Sequence, residues 1–221
     1  MGSDYSVGEG CQLHAYTGTT RLDQLPNYFQ GAPDLRGGMT CKFRINAELP
    51  LFAFHLAGQA DNSLGSILIT NAATGSVVQT IENSTDPGQI MPAAVTDVLA
   101  VVDADFDGYN DLRILNNCGA TGNCSYDFYL YDLKSHQFAH NEFLSTLSTP
   151  SFDSTKKQVT TSSNSSAADW ERDTYQFKDG RYTLMRQEQS VWDRDKKSVT
   201  ESTYELRDGK MQLTDSSTQP E

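Results

Sequence analysis

Residues 175–184 read YQFKDGRYTL and residues 204–213 read YELRDGKMQL, so one ten-residue pattern occurs twice at a spacing of 29 residues. Each copy has Asp-Gly at its centre, and this dipeptide supplies the positive backbone angles that a type I′ turn requires. Apolar residues alternate along both arms, as they do in strands that are covered on one face. The pattern predicts two β-hairpins in an antiparallel meander, because a solenoid would need at least about three copies.

The sequence before these hairpins contains more short runs that are typical of strands. They are separated by turn residues such as Asp61-Asn62-Ser63 and Asp86-Pro87-Gly88, and they comprise Leu51–Ala57, Leu64–Thr70, Val77–Ile81, Val95–Val102 and the half-buried run Tyr126–Asp132. A short helix is expected over Glu142–Ser148, which is too little for the helical crossovers of a parallel sheet. The predicted fold class is therefore all-β with antiparallel sheets.

Three regions of the chain differ in composition and in hydrophobic pattern. Residues 1–50 are rich in Gly, Asn and Thr and have no sustained period, so we expect an irregular extension packed on the core. Residues 51–215 are expected to form a single antiparallel β domain, and residues 216–221 a disordered tail. Within the domain, the run TSSNSSAA at 161–168 fits either a flexible connection or a long hairpin loop.

Charge and hydropathy exclude two classes of partner. The chain carries 17 Lys and Arg against 29 Asp and Glu, a formal net charge of −12, whereas nucleic-acid binding requires clustered basic residues. The longest apolar run, Leu51–Ala57, has seven residues, far short of the roughly 20 that cross a bilayer. No membrane span is expected. The start Met1-Gly2-Ser3 resembles an expression remnant, so we expect that a signal peptide or lipid anchor of the precursor has been removed.

The four cysteines lie at positions 11, 41, 118 and 124, without a CxxC pair. A bridge between Cys118 and Cys124 would close a tight loop, and one between Cys11 and Cys41 a longer loop. Two disulfides are the favoured interpretation, with reduced thiols as the alternative; a zinc site usually shows two-residue spacings and histidine partners. Two disulfides would indicate an oxidising compartment such as the periplasm.

Residues 103–111 read DADFDGYND, a pattern that indicates a calcium loop. Its oxygen ligands would be four carboxylates and a backbone carbonyl, while Gly108 allows the sharp turn; these ligands are Asp103, Asp105, Asp107, Asp111 and the carbonyl of Tyr109. The bidentate Glu of an EF-hand is replaced by Ile114, and the flanks resemble strands. The loop is similar instead to those of integrin-type FG-GAP repeats. A solvated acidic turn without metal is the alternative, and a catalytic metal is disfavoured because no base adjoins the loop.

No catalytic motif stands out. The histidines do not form a metal-ligand spacing, and His136 and His140 are expected to be an ordinary surface pair. Acidic pairs such as Asp169 and Glu171 could serve a glycosidase, but carboxylates are abundant enough to pair by chance. We therefore predict that the chain is not an enzyme.

The stretch from about Val95 to Met185 resembles a known family. It contains DxDxDGxxD, then a Gly/Asn/Ser-rich loop, the strand SYDFYLYD, the motif FLSxLxxPxFD up to Asp153, and YxFxDGxYxL. In this order the motifs resemble the periplasmic inhibitors of i-type lysozymes (PliI-like), especially the immunity lipoproteins paired with peptidoglycan-hydrolase effectors of the Xanthomonas-type bacterial-killing type IV secretion system. The resemblance implies a non-catalytic antiparallel β fold, a periplasmic location and a lysozyme-like protein partner.

The resemblance also implies an inhibitory loop that enters the target's active-site cleft. The family's SGxxY-like motif corresponds to residues 121–126 here, with Thr in place of Ser and the Tyr one residue later. The loop residues implied are Gly119, Thr121, Gly122, Asn123, Ser125 and Tyr126. Residues 115–126 contain no carboxylate, which suits a cleft lined by catalytic acids. The rival expectation is a calcium-stabilised adhesion or ligand-binding module of FG-GAP type, and a glycosidase is a distant third.

Overall fold

The structure, a computed structural model, describes residues 10–25, 33–82, 98–119 and 121–220. These residues form antiparallel sheets, so the predicted all-β class is confirmed. The chain divides into two compact units, each made of several stretches. The first takes the described residues up to 103 together with 108–118 and 126–145, and the second takes 104–107, 119–125 and those from 146 onward.

The first unit contains a five-stranded sheet in sequential order. Its strands are β1 (Gly10–Leu13), β2 (Met39–Arg44), β3 (Leu51–Gly58), β4 (Leu64–Asn71) and β5 (Val77–Glu82). The expectation of an irregular extension through residue 50 is therefore wrong: β2 pairs with β3 from Met39↔Leu56 to Arg44↔Leu51. In β2 the residues Met39, Cys41 and Phe43 are buried, so the alternation of a strand is present there. It extends over only three apolar residues.

A four-stranded sheet follows in the order β6, β7, β8, β9. These strands are Leu99–Val102, Asp111–Cys118, Cys124–Asp132 and Gln137–His140, and helix α1 (Glu142–Ser145) follows them. Strand β8 was expected to be half-buried, but Phe128 on one face is 0% exposed and Tyr131 on the other is 4% exposed. Both faces of this strand are therefore covered. The expected turn at residues 86–88 and the start of the strand predicted from Val95 lie outside the described residues.

The core of the first unit is formed by apolar side chains from both of its sheets. Phe52 packs edge-on against Phe138 of β9, with ring centroids 6.5 Å apart, and Phe54 packs against the same ring at 6.0 Å. Gln79 of β5 adds a polar link, because its side-chain amide donates to the carbonyl of Phe138 at 2.9 Å and accepts from its N–H at 2.7 Å. One amide side chain thus satisfies a backbone donor and acceptor on β9.

The second unit is a seven-stranded antiparallel sheet. Its strands are β10 (Ser151–Asp153), β11 (Gln158–Thr160), β12 (Ser163–Asn164), β13 (Trp170–Lys178), β14 (Arg181–Asp193), β15 (Ser198–Arg207) and β16 (Lys210–Pro220). The run at 161–168 is a hairpin connection, with β12 paired to β13. The expectation of a disordered tail from residue 216 is also wrong, because β16 pairs with β15 as far as Ser198↔Pro220. No helix among the described residues has the length and apolar character to cross a membrane.

The two repeated hairpins are present as predicted. Asp179 and Gly180 have φ angles of 52° and 73°, and the corresponding angles of Asp208 and Gly209 are 52° and 75°, which are the values that a type I′ turn demands. Each hairpin also has a bulge at the same point of the pattern, at Met185 in the first and Thr214 in the second. The sequence repeat therefore corresponds to a repeat of backbone geometry.

Candidate functional site

The acidic loop joins β6 to β7 and gathers three of its four aspartates. Carboxylate oxygens of Asp103, Asp105 and Asp111 all lie within 4.8 Å of one another. Asp107 is exposed and is not part of this cluster. The flanking elements are strands, so the expectation that this is not an EF-hand is confirmed.

Local backbone geometry and burial fix the cluster. Gly108 has a φ of 92°, and its N–H donates to Oδ2 of Asp103 at 3.1 Å. Asp111 begins β7 and is only 1% exposed, and its Oδ1 accepts from the N–H of Tyr131 at 2.9 Å. A buried carboxylate next to two others is costly in water-poor surroundings unless a cation balances it. The oxygen-only donor set suits a hard cation such as Ca²⁺.

The tip of the acidic loop, residues 104–107, belongs to the second unit and is held by contacts within that unit. Phe106 has a left-handed φ of 59° and packs against Phe177, with ring centroids 5.9 Å apart. Its carbonyl accepts from Nζ of Lys157 at 3.3 Å, and the carbonyl of Ala104 accepts from the hydroxyl of Tyr182 at 2.8 Å. The tip is therefore held by packing and hydrogen bonds that the acidic motif itself does not contain.

The turn between β7 and β8 carries the residues of the expected inhibitory loop. Gly119, Thr121 and Gly122 are exposed, and the turn is closed by hydrogen bonds from Gly119 N–H to Asn123 O at 2.8 Å and from Gly122 N–H to Gly119 O at 3.0 Å. Ser125, on the following strand, is half-buried. An exposed tip of small uncharged residues is thus present.

Both expected disulfides are confirmed. Cys11 and Cys41 are bridged across β1 and β2, and no cysteine is free. Cys118 and Cys124 are also disulfide-bonded, and with four cysteines in the chain they pair with each other. The second bridge closes the base of the exposed turn.

Asn123 is not available at the tip. Its Nδ2 donates to the carbonyl of Asn164 at 2.9 Å, and its Oδ1 accepts from the N–H of Asn164 at 2.8 Å. An aspartate at this position would turn an oxygen toward the Asn164 carbonyl, so Asn123→Asp should destabilise the turn as well as add a charge. The sequence did not reveal the role of Asn164, which lies in a run with the composition of a linker.

Tyr126 is a half-buried residue of β8. The guanidinium carbon of Arg113 lies 4.7 Å from the centroid of its ring, a cation–π distance. The ring of Phe128 lies edge-on at 6.3 Å. Tyr126 therefore has packing partners within the chain, and removal of its ring will also affect Arg113.

His140 lies near a serine and an aspartate, but the arrangement differs from a catalytic triad. Its Nε2 is 3.1 Å from Oγ of Ser145 and 3.9 Å from Oδ1 of Asp127, whereas a triad histidine contacts its two partners through different nitrogens. Ser145 Oγ also accepts from the N–H of Phe128 and donates to the carbonyl of Asn141. Burial raises the pKa of Asp127, and the nearby His140 opposes this shift.

The acidic pair Asp169 and Glu171 lines an open polar cavity of about 300 Å³ in the second unit, together with Trp170 and three serines. Hydrogen bonds from the N–H of Trp192 and the hydroxyl of Ser166 lower the pKa of Asp169. A glycosidase acid needs the opposite shift, so that it holds a proton near neutral pH. Asp169 is therefore poorly suited to that role.

The chain matches no protein-family model, and no curated protein matches it in sequence. In structure it is similar to a protein described as related to a Xanthomonas type IV secretion system, with a TM-score of 0.55 and 17% identity over 80% of this chain and 98% of that chain. A Bacteroides fragilis protein of unknown function has a TM-score of 0.27 and 8% identity over 76% of this chain and 92% of that chain, which is too distant to carry an argument. The first likeness shows that the two chains share a fold.

Proposed function

We propose that this chain is a proteinaceous inhibitor, of the immunity type, of a lysozyme-like glycosidase that cleaves peptidoglycan. The observation that carries the proposal is the exposed turn at Gly119, Thr121 and Gly122, which is uncharged, made of small residues and closed at its base by the Cys118–Cys124 disulfide. Such a turn fits a sugar-sized cleft. The N–H groups of Gly119 and Gly122 are already bonded within the turn, so the donor that catalytic carboxylates would accept in a charge-assisted hydrogen bond is the hydroxyl of Thr121.

The distribution of charge supports the same partner. The chain has a formal net charge of −12, which would attract a basic enzyme adapted to anionic cell walls. Residues 115–126 contain no carboxylate, so the turn itself would not be repelled by the acids of the cleft. A fold shared with a protein related to a type IV secretion system is compatible with a role against an effector delivered by such a system.

Calcium has an architectural role in this proposal. The carboxylates of Asp103, Asp105 and Asp111 would hold the ion, and the Tyr109 carbonyl of the sequence pattern would add an oxygen ligand. Asp107, the remaining carboxylate of the pattern, lies outside the cluster. Two disulfides in one small chain favour an oxidising compartment. The disulfides support a proposed periplasmic location, and the family resemblance supports the proposal that the precursor is a lipoprotein.

The proposal is tested by placing a charge at the tip. Thr121→Glu adds a carboxylate to an exposed position and should weaken inhibition of an i-type lysozyme at least about tenfold, because a desolvated like-charge contact costs several kcal/mol. Thr19→Glu is the matched control, since it is the same substitution at another exposed threonine. Inhibition is measured as the clearing rate of a cell-wall suspension. Equal inhibition by the two variants would remove this turn from the inhibitory surface, and an adhesion module would inhibit in neither form.

A further inference from the structure

Thr149 has a backbone conformation that a threonine rarely adopts. Its φ is 45°, in the left-handed region that β-branched residues avoid, and it precedes Pro150, which favours an extended conformation for its neighbour. Two hydrogen bonds to one residue hold it there. Its N–H donates to the carbonyl of Cys124 at 2.7 Å, and its Oγ1 accepts from the N–H of Cys124 at 2.9 Å.

Asn123, which precedes Cys124 in the turn, is held by a different segment of the chain. The side-chain amide of Asn123 occupies both the N–H and the carbonyl of Asn164, a residue of β12 that is paired with Trp170 of β13. The amide therefore acts as a one-residue extension of the sheet. The two holding segments are also joined to each other, because Ser162 N–H donates to Ser148 O at 3.1 Å.

We propose that Thr149 and Asn164 form a clasp that positions the tip of the inhibitory turn. The clasp is defined as the four hydrogen bonds that join Asn123 to Asn164 and Cys124 to Thr149. The disulfide fixes the distance between the ends of the turn, whereas the clasp fixes how the turn is oriented on the sheet of the second unit. The inference rests on the proposed function, because it assigns these residues to the preparation of that same turn for binding.

The physical advantage of the clasp is preorganisation. A turn that is already ordered loses less conformational entropy when it enters a cleft, so more of its contact energy appears as affinity. Strained backbone persists where surrounding contacts over-determine it, and it concentrates at functional sites. The hydroxyl of Thr149 explains why this position is not glycine: glycine would adopt the angle freely but could not accept the Cys124 N–H.

The test uses the loop disulfide as a reporter that needs no target. Thr149→Gly removes the hydroxyl bond and should speed reduction of Cys118–Cys124 by dithiothreitol about fivefold to tenfold, the factor that corresponds to one net hydrogen bond. Asn123→Ala removes two bonds and should act at least as strongly. The Cys11–Cys41 bridge is an internal reference whose reduction rate should not change, because it lies in the first unit and all four clasp residues belong to the second.

Two further variants separate positioning from general stability. Thr149→Ser keeps the hydroxyl and should restore the slow reduction rate. Lys197→Gly is the matched control for a change to glycine, because Lys197 is an exposed turn residue of the same unit with a φ of 49°. It should leave the reduction of Cys118–Cys124 unchanged. The disulfide of Thr149→Gly should be reduced faster without a matching fall in melting temperature. Glycine relieves the backbone strain at this position, which offsets the lost hydrogen bond.

Inhibition of an i-type lysozyme is then measured with the same variants. We expect Thr149→Gly to weaken inhibition about fivefold or more and Thr149→Ser to inhibit like the wild type. An unchanged reduction rate in Thr149→Gly and Asn123→Ala would refute the clasp. Faster reduction with full inhibition would refute its positioning role. A wild-type protein that inhibits no lysozyme would refute the proposed function instead, and the reduction rates would still decide whether the clasp exists.

Discussion

Neutralisation of one aspartate in the acidic loop should have opposite effects with and without calcium. Oxygens of Asp103, Asp105 and Asp111 lie within 4.8 Å of one another. At that distance two unit charges repel by about 3.5 kcal/mol at an effective dielectric constant near 20. Asp105→Asn removes two of these pairwise repulsions, so the variant should melt above the wild type in a chelator. In calcium the wild type should melt above the variant, because only the wild type retains the full ligand set.

The size of the calcium effect follows from mass action. At a free calcium concentration of about 100 times Kd, binding to the folded state alone contributes roughly 2.7 kcal/mol. For a chain of 150–250 residues this corresponds to an upward shift of about 5–11 °C. Differential scanning calorimetry in calcium and in a chelator measures it, with Asp195→Asn as a control for the loss of one exposed negative charge. Superimposable wild-type curves, or a variant that melts below the wild type in both buffers, would refute the reasoning.

Three other substitutions have defined outcomes. Tyr126→Ala should weaken lysozyme inhibition at least about tenfold, as truncation of an aromatic interface residue does, and should also lower the melting temperature because the ring packs against Arg113 and Phe128. Isothermal titration should show the same calcium affinity. Burial raises the folded pKa of Asp127, so the ionised carboxylate lowers the stability of the fold at neutral pH. This destabilisation is lost as the pH falls through the folded pKa. Asp127→Asn should therefore raise the melting temperature at pH 7, and the gain should shrink in acid. Hydrogen bonds from Arg36 lower the folded pKa of Asp34, so their contribution is present above the unfolded pKa and is lost as pH falls through the folded value. Arg36→Met should lower the free energy of unfolding, measured by urea denaturation at pH 7, by about 1–3 kcal/mol, and should weaken its dependence on pH in acid. An equal loss at pH 7 and pH 2 would contradict this role of the Arg36 hydrogen bonds.

Local patterns predicted the parts of the fold that local chemistry decides. The Asp-Gly turns at 179–180 and 208–209 have the expected positive φ angles, because few other dipeptides tolerate that geometry. The loop disulfide was predictable because only five residues lie between its cysteines in the sequence. The acidic loop was recognised from its spacing, although the pattern could not tell that Asp107 stays outside the cluster.

Contacts between distant segments were not predictable from local patterns. Strand β1 has four residues and no clear period, and it is a strand because its partner β2 supplies the hydrogen bonds. Asn123 and Asn164 are 41 residues apart, so no pattern joins them. The predicted tail at 216–221 is polar in composition, but hydroxyl pairs such as Thr200 with Thr218, at 3.0 Å, can support a strand without a core.

We propose above that this chain blocks the cleft of a peptidoglycan-cleaving glycosidase. The most direct measurement is a titration of the purified protein, in calcium, against i-type, chicken-type and goose-type lysozymes with a cell-wall suspension as substrate. We expect that the activity of at least one enzyme falls linearly to near zero at one molar equivalent, and that an N-acetylglucosamine oligomer in the cleft slows this inhibition. Full activity of every lysozyme at a large molar excess, or inhibition that the oligomer does not affect, would contradict it.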